Sequence, residues 1–157
     1  MMRAILRILL LGLLGTAPAW AGAAKPFLAD TPTALAQRFA GQPYLVAFWS
    51  VDCPHCQGEL ALFARLLRER PDLPLVLVAV DAPALAPRVA ARLAELGLSG
   101  ADNWQFADAR AERLRFAVDR QWRGELPRSY LFDAAHRRQA VSGALDGAAL
   151  RRWLEMR

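Results

Sequence analysis

The sequence predicts one α/β domain, and three features of its first half carry that prediction. Two nearly continuous apolar runs of strand length, Tyr44 to Ser50 and Leu75 to Val80, are typical of strands buried on both faces of a central sheet. Between them, Pro54 to about Glu69 repeats apolar residues at helical spacing. Strand, helix and strand therefore form a right-handed βαβ unit. A chain of 157 residues can bury a substantial core, and we expect no second folded domain.

The elements outside this unit follow from helix caps, turn residues and spacing. In chain order they are a short helix that begins after Asp30 and ends at Gly41, a helix from Pro87 to Leu96, a short strand from Asn103 to Phe106, a helix from Ala109 to about Val118, two strands from Arg128 to Phe132 and from Gln139 to Ser142, and a final helix from Asp146 through Trp153. A short polar segment separates the last two strands, so we expect them to form an antiparallel hairpin.

The first 21 residues have the features of a secretory signal peptide. Two arginines and a short apolar run precede the small-residue sequence Ala19-Trp20-Ala21, which is typical of a cleavage site. The apolar run is shorter than the ~18 residues of a membrane span, which leaves an uncleaved anchor as the alternative. We therefore expect a leader over residues 1–21, a folded domain over residues 22–157, and export to the periplasm.

The basic charge does not predict a nucleic-acid partner. The formal net charge is +5, carried by 19 arginines and one lysine, and it falls to +3 when the two leader arginines are removed. The remaining arginines are spread over predicted helix faces and lack interleaved aromatic residues. Such a distribution is typical of solvated helix surfaces, so we expect no nucleic-acid binding.

The two cysteines of the chain lie together in Cys53-Pro54-His55-Cys56, between the first buried strand and the long helix. A disulfide across so small a ring restricts the unfolded chain little, by roughly 2 kcal/mol, and is better suited to a redox switch than to a structural cross-link. An oxidising compartment agrees with such a pair.

The helix that follows should activate the first cysteine. Pro54 suits the first helical turn, which places Cys53 at the helix N-terminus, where unpaired N–H groups favour a thiolate. We expect Cys53 to attack and the less exposed Cys56 to resolve the mixed disulfide. His55 can supply an N–H donor or a positive charge beside Cys53, which would favour the reduced form and make the protein more oxidising.

Glu59 is a candidate proton acceptor for Cys56. Cys56, Glu59, Leu60 and Phe63 share one helix face, so the carboxyl group would point toward apolar surroundings, where desolvation raises its pKa. The alternative is a glutamate in the early helix that is favoured by the dipole and turned to solvent.

The stretch Phe48-Trp49-Ser50-Val51-Asp52-Cys53-Pro54-His55-Cys56, with Leu126-Pro127 and the apolar run after it about seventy residues on, resembles the thioredoxin superfamily. From Thr31 to the C-terminus the chain is most similar to the exported TlpA/ResA-like thioredoxins, which include reductases of cytochrome c maturation and copper-centre assembly. The resemblance implies a thioredoxin fold: a central mixed sheet flanked by helices, with an inserted helix after the βαβ unit.

The resemblance also implies roles for individual residues. Pro127 matches the cis-proline that lies against the cysteine pair and leaves the backbone of Leu126 free to pair with an extended substrate. Trp49 matches a tryptophan packed beside the site, and with Pro54 it is assigned to the substrate-binding surface. Glu59 matches an acidic residue that these proteins place near the cysteines. The partners implied are protein thiols and disulfides and a membrane-embedded thiol donor that recycles the pair; we expect a monomer without a cofactor.

The chain departs from the superfamily pattern at three places. Thioredoxin has a buried aspartate where this chain has Ala47, so acid-base chemistry must rest with Glu59 or water. Asp52 replaces a tryptophan before the first cysteine, and its negative charge opposes thiolate formation. His55 completes the Pro-His dipeptide of the oxidase DsbA, which carries a larger helical insertion than residues 81–102 provide.

Two alternatives to a reductase remain open at this stage. The first is a DsbA-like protein thiol oxidase, favoured by His55 and opposed by the short chain and by Glu59. The second is a copper-binding assembly factor without redox turnover, because soft thiolates suit Cu(I). Its ligands would be the two cysteines with His55 or His136, although a histidine in a hairpin turn is more often a solvated surface residue.

Overall fold

A computed structural model describes residues 24–155, which form one six-stranded mixed sheet with helices on both faces. The strands are β1 Lys25–Phe27, β2 Tyr44–Trp49, β3 Leu75–Ala79, β4 Asp102–Phe106, β5 Arg128–Phe132 and β6 Arg138–Ser142. Their order in the sheet is β1-β4-β3-β2-β5-β6; the first four run parallel and β5 is antiparallel to both of its neighbours. The predicted leader, residues 1–21, lies outside the described residues.

Within residues 24–155, five α-helices cover the sheet, and their apolar residues divide into two layers. The helices are α1 Thr31–Arg38, α2 Pro54–Glu69, α3 Ala86–Glu95, α4 Ala111–Val118 and α5 Gly147–Glu155, and a short 3₁₀ turn, Pro83–Leu85, precedes α3. Helices α2, α3 and α5 pack on the face of β2 that carries Leu45, Ala47 and Trp49. Helices α1 and α4 pack on the opposite face with Val46 and Phe48. Alternate residues of β2 thus enter different cores, which explains why its whole sequence is apolar.

The structure confirms the predicted βαβ unit and the inserted helix. Every residue of β2 and β3 is buried, and the two strands are parallel neighbours joined by α2. Helix α3 lies in the connection between β3 and β4, where the resemblance implied an insertion. Strand β1, a three-residue edge strand that pairs with β4, was not predicted from the sequence.

The sheet topology brings three loops to one edge. The carboxyl ends of β2, β3 and β4 share that edge because these strands are parallel. Strand β5 begins there because Arg128 pairs with Phe48 in the antiparallel register. The loop before α2, the loop after β3 and the Leu126-Pro127 loop therefore meet at one end of the sheet. Within residues 24–155, no helix is long and apolar enough to span a membrane.

Candidate active site

The cysteines form a disulfide at the junction of β2 and α2. The Cα atoms of Cys53 and Cys56 are 5.4 Å apart. Cys53 occupies the N-cap position of α2 and is half-buried, whereas Cys56, one turn into the helix, is fully buried (0% exposed). Of the two sulfur-bearing residues, Cys53 is therefore the one that a protein substrate can reach.

The first turn of α2 directs hydrogen-bond donors at Cys53. The backbone N–H of Cys56 points at the Cys53 sulfur, with an N···S distance of 3.2 Å, so the sulfur takes the place of the oxygen of an ordinary N-cap side chain. Pro54 is the first residue of the helix, where its missing N–H leaves nothing unpaired. When the disulfide is reduced, the same N–H and the helix dipole would stabilise a thiolate on Cys53.

Glu59 is buried beneath this turn, with 2% of its surface exposed. Its Oε1 accepts the backbone N–H of Leu145 at 3.0 Å and the hydroxyl of Ser129 at 3.4 Å. Burial raises the pKa of Glu59 to about 7, against the opposing effect of these two hydrogen bonds. The alternative of a glutamate turned to solvent is therefore wrong. Ser129 lies opposite Ala47 in the β2–β5 register. The Glu59 carboxyl group therefore lies next to the position at which thioredoxin has its buried aspartate and this chain has Ala47.

The Leu126–Pro127 peptide bond is cis, as the resemblance implied. Pro127 is buried and its carbonyl accepts the N–H of Gly143 at 2.9 Å, while Leu126 is half-buried. The assignment of Trp49 to the substrate-binding surface is wrong, because Trp49 is 1% exposed and lies in the same apolar cluster as Cys56. Its side chain packs beneath the site instead. Pro54 is exposed beside Cys53.

The two histidines are far apart. His55 is exposed, and within residues 24–155 its ring makes no hydrogen bond or ion pair. His136 lies in the turn between β5 and β6, at the opposite end of the sheet, with its Nε2 2.9 Å from the carbonyl oxygen of Phe39. In the described part of the chain, no three histidine, cysteine or acidic residues are grouped to hold a metal ion.

Two charged contacts beside the cysteines were not anticipated. Asp52, which should oppose thiolate formation, pairs with Arg88 of α3 at 2.6 Å on the surface. The buried carboxyl group of Asp81, two residues after the end of β3, binds the loop that leads to Cys53. A polar residue directly after a buried strand, at the site edge, is the sequence signal that could have identified Asp81.

Comparison with known proteins identifies the fold. No family model matches the chain, and no curated protein sequence matches it. Among solved structures, a thiol:disulfide interchange protein of the thioredoxin family from Chlorobium tepidum is 20% identical, with a TM-score of 0.62 over 77% of this chain and 83% of that chain. A secreted Mycobacterium tuberculosis disulfide oxidoreductase homologous to E. coli DsbE is 16% identical (TM-score 0.57; 77% and 86%). StoA from Bacillus subtilis is 20% identical (0.52; 73% and 84%).

Proposed function

We propose that this chain, which has the thioredoxin fold, is a thiol-disulfide oxidoreductase acting on protein substrates. The observation that carries the proposal is the pairing of a reachable Cys53 at a helix N-terminus with a fully buried Cys56. A structural cross-link needs no such difference in exposure. An exchange reaction needs one accessible sulfur that attacks the substrate and a second, protected sulfur that resolves the mixed disulfide.

The exchange starts from the reduced pair. The Cys53 thiolate attacks one sulfur of a substrate disulfide, which forms a mixed disulfide and releases the other substrate sulfur as a thiolate that takes up a proton. Cys56 then loses its proton and attacks the Cys53 sulfur, which closes the Cys53–Cys56 disulfide and releases the second substrate thiolate. Two electrons pass to the substrate. Glu59 is buried on the helix face of Cys56 and has a pKa of about 7, which suits it to accept the Cys56 proton near neutral pH.

The substrate is held by the loop opposite the cysteines. Leu126 precedes the cis-proline and is half-buried at the edge where Cys53 lies, so its backbone can pair with an extended substrate segment. Pro54 is exposed next to the attacking sulfur and would contact the same segment. Trp49 is buried in the core beneath the cysteines and would support the site by packing rather than by contact with the substrate.

We place the protein among reductases rather than oxidases. The insertion between β3 and β4 is one ten-residue helix, and the carboxyl group of Glu59 is buried as proton transfer from Cys56 requires. His55, which argued for an oxidase, is exposed to water. The finer proposal is a periplasmic reductase of cytochrome c or copper-centre maturation, exported by its leader and recycled as a monomer by a membrane-embedded thiol donor. The secreted Mycobacterium tuberculosis neighbour supports the proposal of export.

Trapping the mixed disulfide tests the exchange chemistry. Wild-type protein should reduce the disulfides of insulin when dithiothreitol recycles it. Cys56→Ser should accumulate a covalent adduct with a disulfide-bonded protein substrate, because Cys53 can attack but nothing resolves the product. Cys53→Ser is the matched control and should form no adduct. Turnover by Cys53→Ser would contradict the proposal.

The reduction potential of the Cys53/Cys56 pair tests the direction. On the scale of known thioredoxin-fold proteins, about −250 mV or below would support a reductase, and about −120 mV would favour the oxidase. Mass spectrometry after incubation with Cu(I) tests the copper alternative independently, since a bound ion would appear as a mass increase that reductant alone does not produce.

A further inference from the structure

A second group of buried polar residues lies at the site edge, and none of them takes part in the bond exchanges or proton transfer described above. Asp81, two residues after the end of β3, and Gln105, near the end of β4, are buried, with 7% and 6% of their surfaces exposed. Asp81 contacts the loop Ser50-Val51-Asp52, which connects β2 to Cys53, and Gln105 contacts the backbone at Asp81. Because the three strands are parallel, their carboxyl ends bring these residues together although they are distant in sequence.

The Asp81 carboxyl group binds this loop directly. Its Oδ1 accepts the hydroxyl of Ser50 at 2.8 Å, and its Oδ2 accepts the backbone N–H of Val51 at 3.2 Å. The Ser50 oxygen accepts in turn the N–H of Asp52 at 3.2 Å, and the Ser50 carbonyl accepts the N–H of Cys53 at 3.2 Å. The three residues before the attacking cysteine are thus connected, through Ser50 and Val51, to one side chain.

Asp81 is itself held in place. The Gln105 side-chain Nε2 donates to the carbonyl oxygens of Asp81, at 3.3 Å, and Ala82, at 2.8 Å. The donors that its carboxyl group meets are an uncharged hydroxyl and an uncharged backbone N–H. Burying a carboxyl group with neutral partners alone costs free energy, and an apolar residue would be the cheaper choice for the core. A role for its hydrogen bonds to the loop would explain why a carboxyl group occupies this position.

We propose that Asp81 is a positioning residue for thiol exchange: it fixes the 50–52 loop so that the Cys53 sulfur is aligned with the N-terminus of α2. The inference rests on the proposed oxidoreductase function. Cys53 receives the N–H of Cys56 only if the residues before it hold the N-cap conformation. A loosened loop would let the sulfur leave that position, so the thiolate would lose a donor and form less readily.

This positioning role predicts the opposite sign from a purely electrostatic role. If Asp81 acted through negative charge near Cys53, its removal would lower the thiol pKa of Cys53. If it acts by aligning the sulfur, its removal raises that pKa. The sign of the change therefore separates the two explanations.

The test is the pH dependence of Cys53 alkylation by iodoacetamide in the reduced protein. Asp81→Ala should raise the Cys53 pKa by about half a unit or more, which moves the midpoint of the alkylation profile to a proton concentration about threefold lower. Ser50→Ala should act in the same direction by a smaller amount. Asp102→Asn is the matched control, because Asp102 is a carboxylate at the other end of the sheet, paired with Lys25 and Arg38. It should leave the Cys53 pKa unchanged even if it lowers stability.

An unchanged or lowered Cys53 pKa in Asp81→Ala would overturn the inference. If Asp81→Ala does not fold, Ser50→Ala, which removes one hydroxyl, carries the test with the same two outcomes. Alkylation needs no protein substrate, so it is independent of the proposed function. If the Cys53 pKa rises in Asp81→Ala but the wild-type protein fails to reduce insulin, the result supports the alignment of Cys53 by Asp81 and contradicts the proposed function.

Discussion

The carboxyl group of Glu59 accepts hydrogen bonds from two donors, which favours its ionised form. It nevertheless releases its proton less readily than a carboxyl group in water. Burial raises its pKa from 4.5 to about 7, and the Leu145 N–H and the Ser129 hydroxyl offset that rise only in part. Between these two pH values the folded protein holds a proton that the unfolded chain releases. The free energy of unfolding therefore falls as pH rises through this window, by about 3 kcal/mol at most.

Replacement of this one residue should remove that pH dependence. In the oxidised protein, we expect wild type to lose stability between pH 5 and pH 8 relative to Glu59→Gln, whose amide keeps the shape and cannot ionise. Urea unfolding at several pH values measures the difference. Glu69→Gln is the control, since Glu69 lies on the same helix and is exposed. Parallel pH profiles for wild type and Glu59→Gln would show that the buried group does not titrate in this range.

The same substitution tests the proton relay. If Glu59 accepts the Cys56 proton, release of the mixed disulfide in wild type should accelerate as pH rises through about 7, where the carboxylate forms. Glu59→Gln should lose that step, and an unchanged profile would contradict the relay.

Sequence reasoning proposed the reacting residues and could not predict which residues hold them. Helical spacing predicted that Glu59 faces inward with Cys56, which its burial confirms. Its donors, Ser129 and Leu145, lie 70 and 86 positions away in the chain. Spacing along one helix predicts the face on which a side chain lies. It does not predict which residues from distant parts of the chain form hydrogen bonds with that side chain. Asp81 was missed for the same reason, since its contacts cross from β3 to the β2–α2 loop.

At the level of elements, predictions succeeded where pattern and boundary signals agreed. Helix α2 begins at Pro54 and ends at Glu69, and β5 spans Arg128–Phe132, both as predicted. Helix α4 was predicted from Ala109 and begins at Ala111, because Asp108 accepts the N–H of Arg110 and extends the preceding turn. Strand β1 has three residues, one of them proline, and forms only because β4 is beside it.

A buried charge network joins α4 to the two strands of the hairpin. Asp119, the residue after α4, accepts Arg128 at 3.0 Å and Tyr130 at 3.1 Å from β5, and Arg138 of β6 at 3.3 Å. Burial would raise the pKa of Asp119, but hydrogen bonds from Gln121 and Tyr130 and the neighbouring arginine charges outweigh it and hold the pKa below its ordinary value. The network thereby fixes the segment that ends at the cis-proline.

Loss of this carboxylate should destabilise the whole fold. Asp119→Asn removes one of the two carboxylates that contact the buried guanidinium of Arg128, which keeps its ion pair with Glu125 at 2.9 Å. Losing the hydrogen bonds to this charged group should lower the free energy of unfolding by about 2 kcal/mol at pH 7. Because the native pKa is lowered, this contribution is present above the unfolded-state pKa and is lost as pH falls through the native value. The difference in the free energy of unfolding between wild type and Asp119→Asn should therefore become smaller in acid.

Urea unfolding at pH 7 and in acid provides the measurement. Asp133→Asn is a suitable control, because Asp133 pairs with Arg137 on the surface of the hairpin, where solvent screening leaves an ion pair little effect on stability. Equal losses for the two variants would contradict a special role for the buried network.

For the molecule as a whole, the redox state and the stability of the fold are coupled. The cysteines belong to the βαβ half of the sheet and the cis-proline to the hairpin half, and the two halves join along the antiparallel β2–β5 pair. Any free-energy difference between the dithiol and the disulfide in the folded protein, compared with the unfolded chain, is also a difference in stability between the two forms. Unfolding experiments can therefore report the direction of electron flow.

The oxidised protein should be the more stable form if the chain is a reductase. The disulfide closes a small ring and removes roughly 2 kcal/mol of entropy from the unfolded chain. In the reduced protein the helix N-terminus stabilises a Cys53 thiolate, but the neighbouring Asp52 carboxylate, only partly screened by its surface pair with Arg88, opposes it. In an oxidase of the DsbA type the order is reversed, because the reduced form is stabilised.

Urea unfolding with and without reductant should therefore show a higher midpoint for the oxidised form. The double variant Cys53→Ala/Cys56→Ala controls for effects of the reductant on the rest of the protein, and its midpoint should not move. A higher midpoint for the reduced form would contradict the reductase assignment while leaving the exchange chemistry intact, because both directions use the same two sulfur atoms. The stability order therefore tests the direction of the reaction separately from its mechanism.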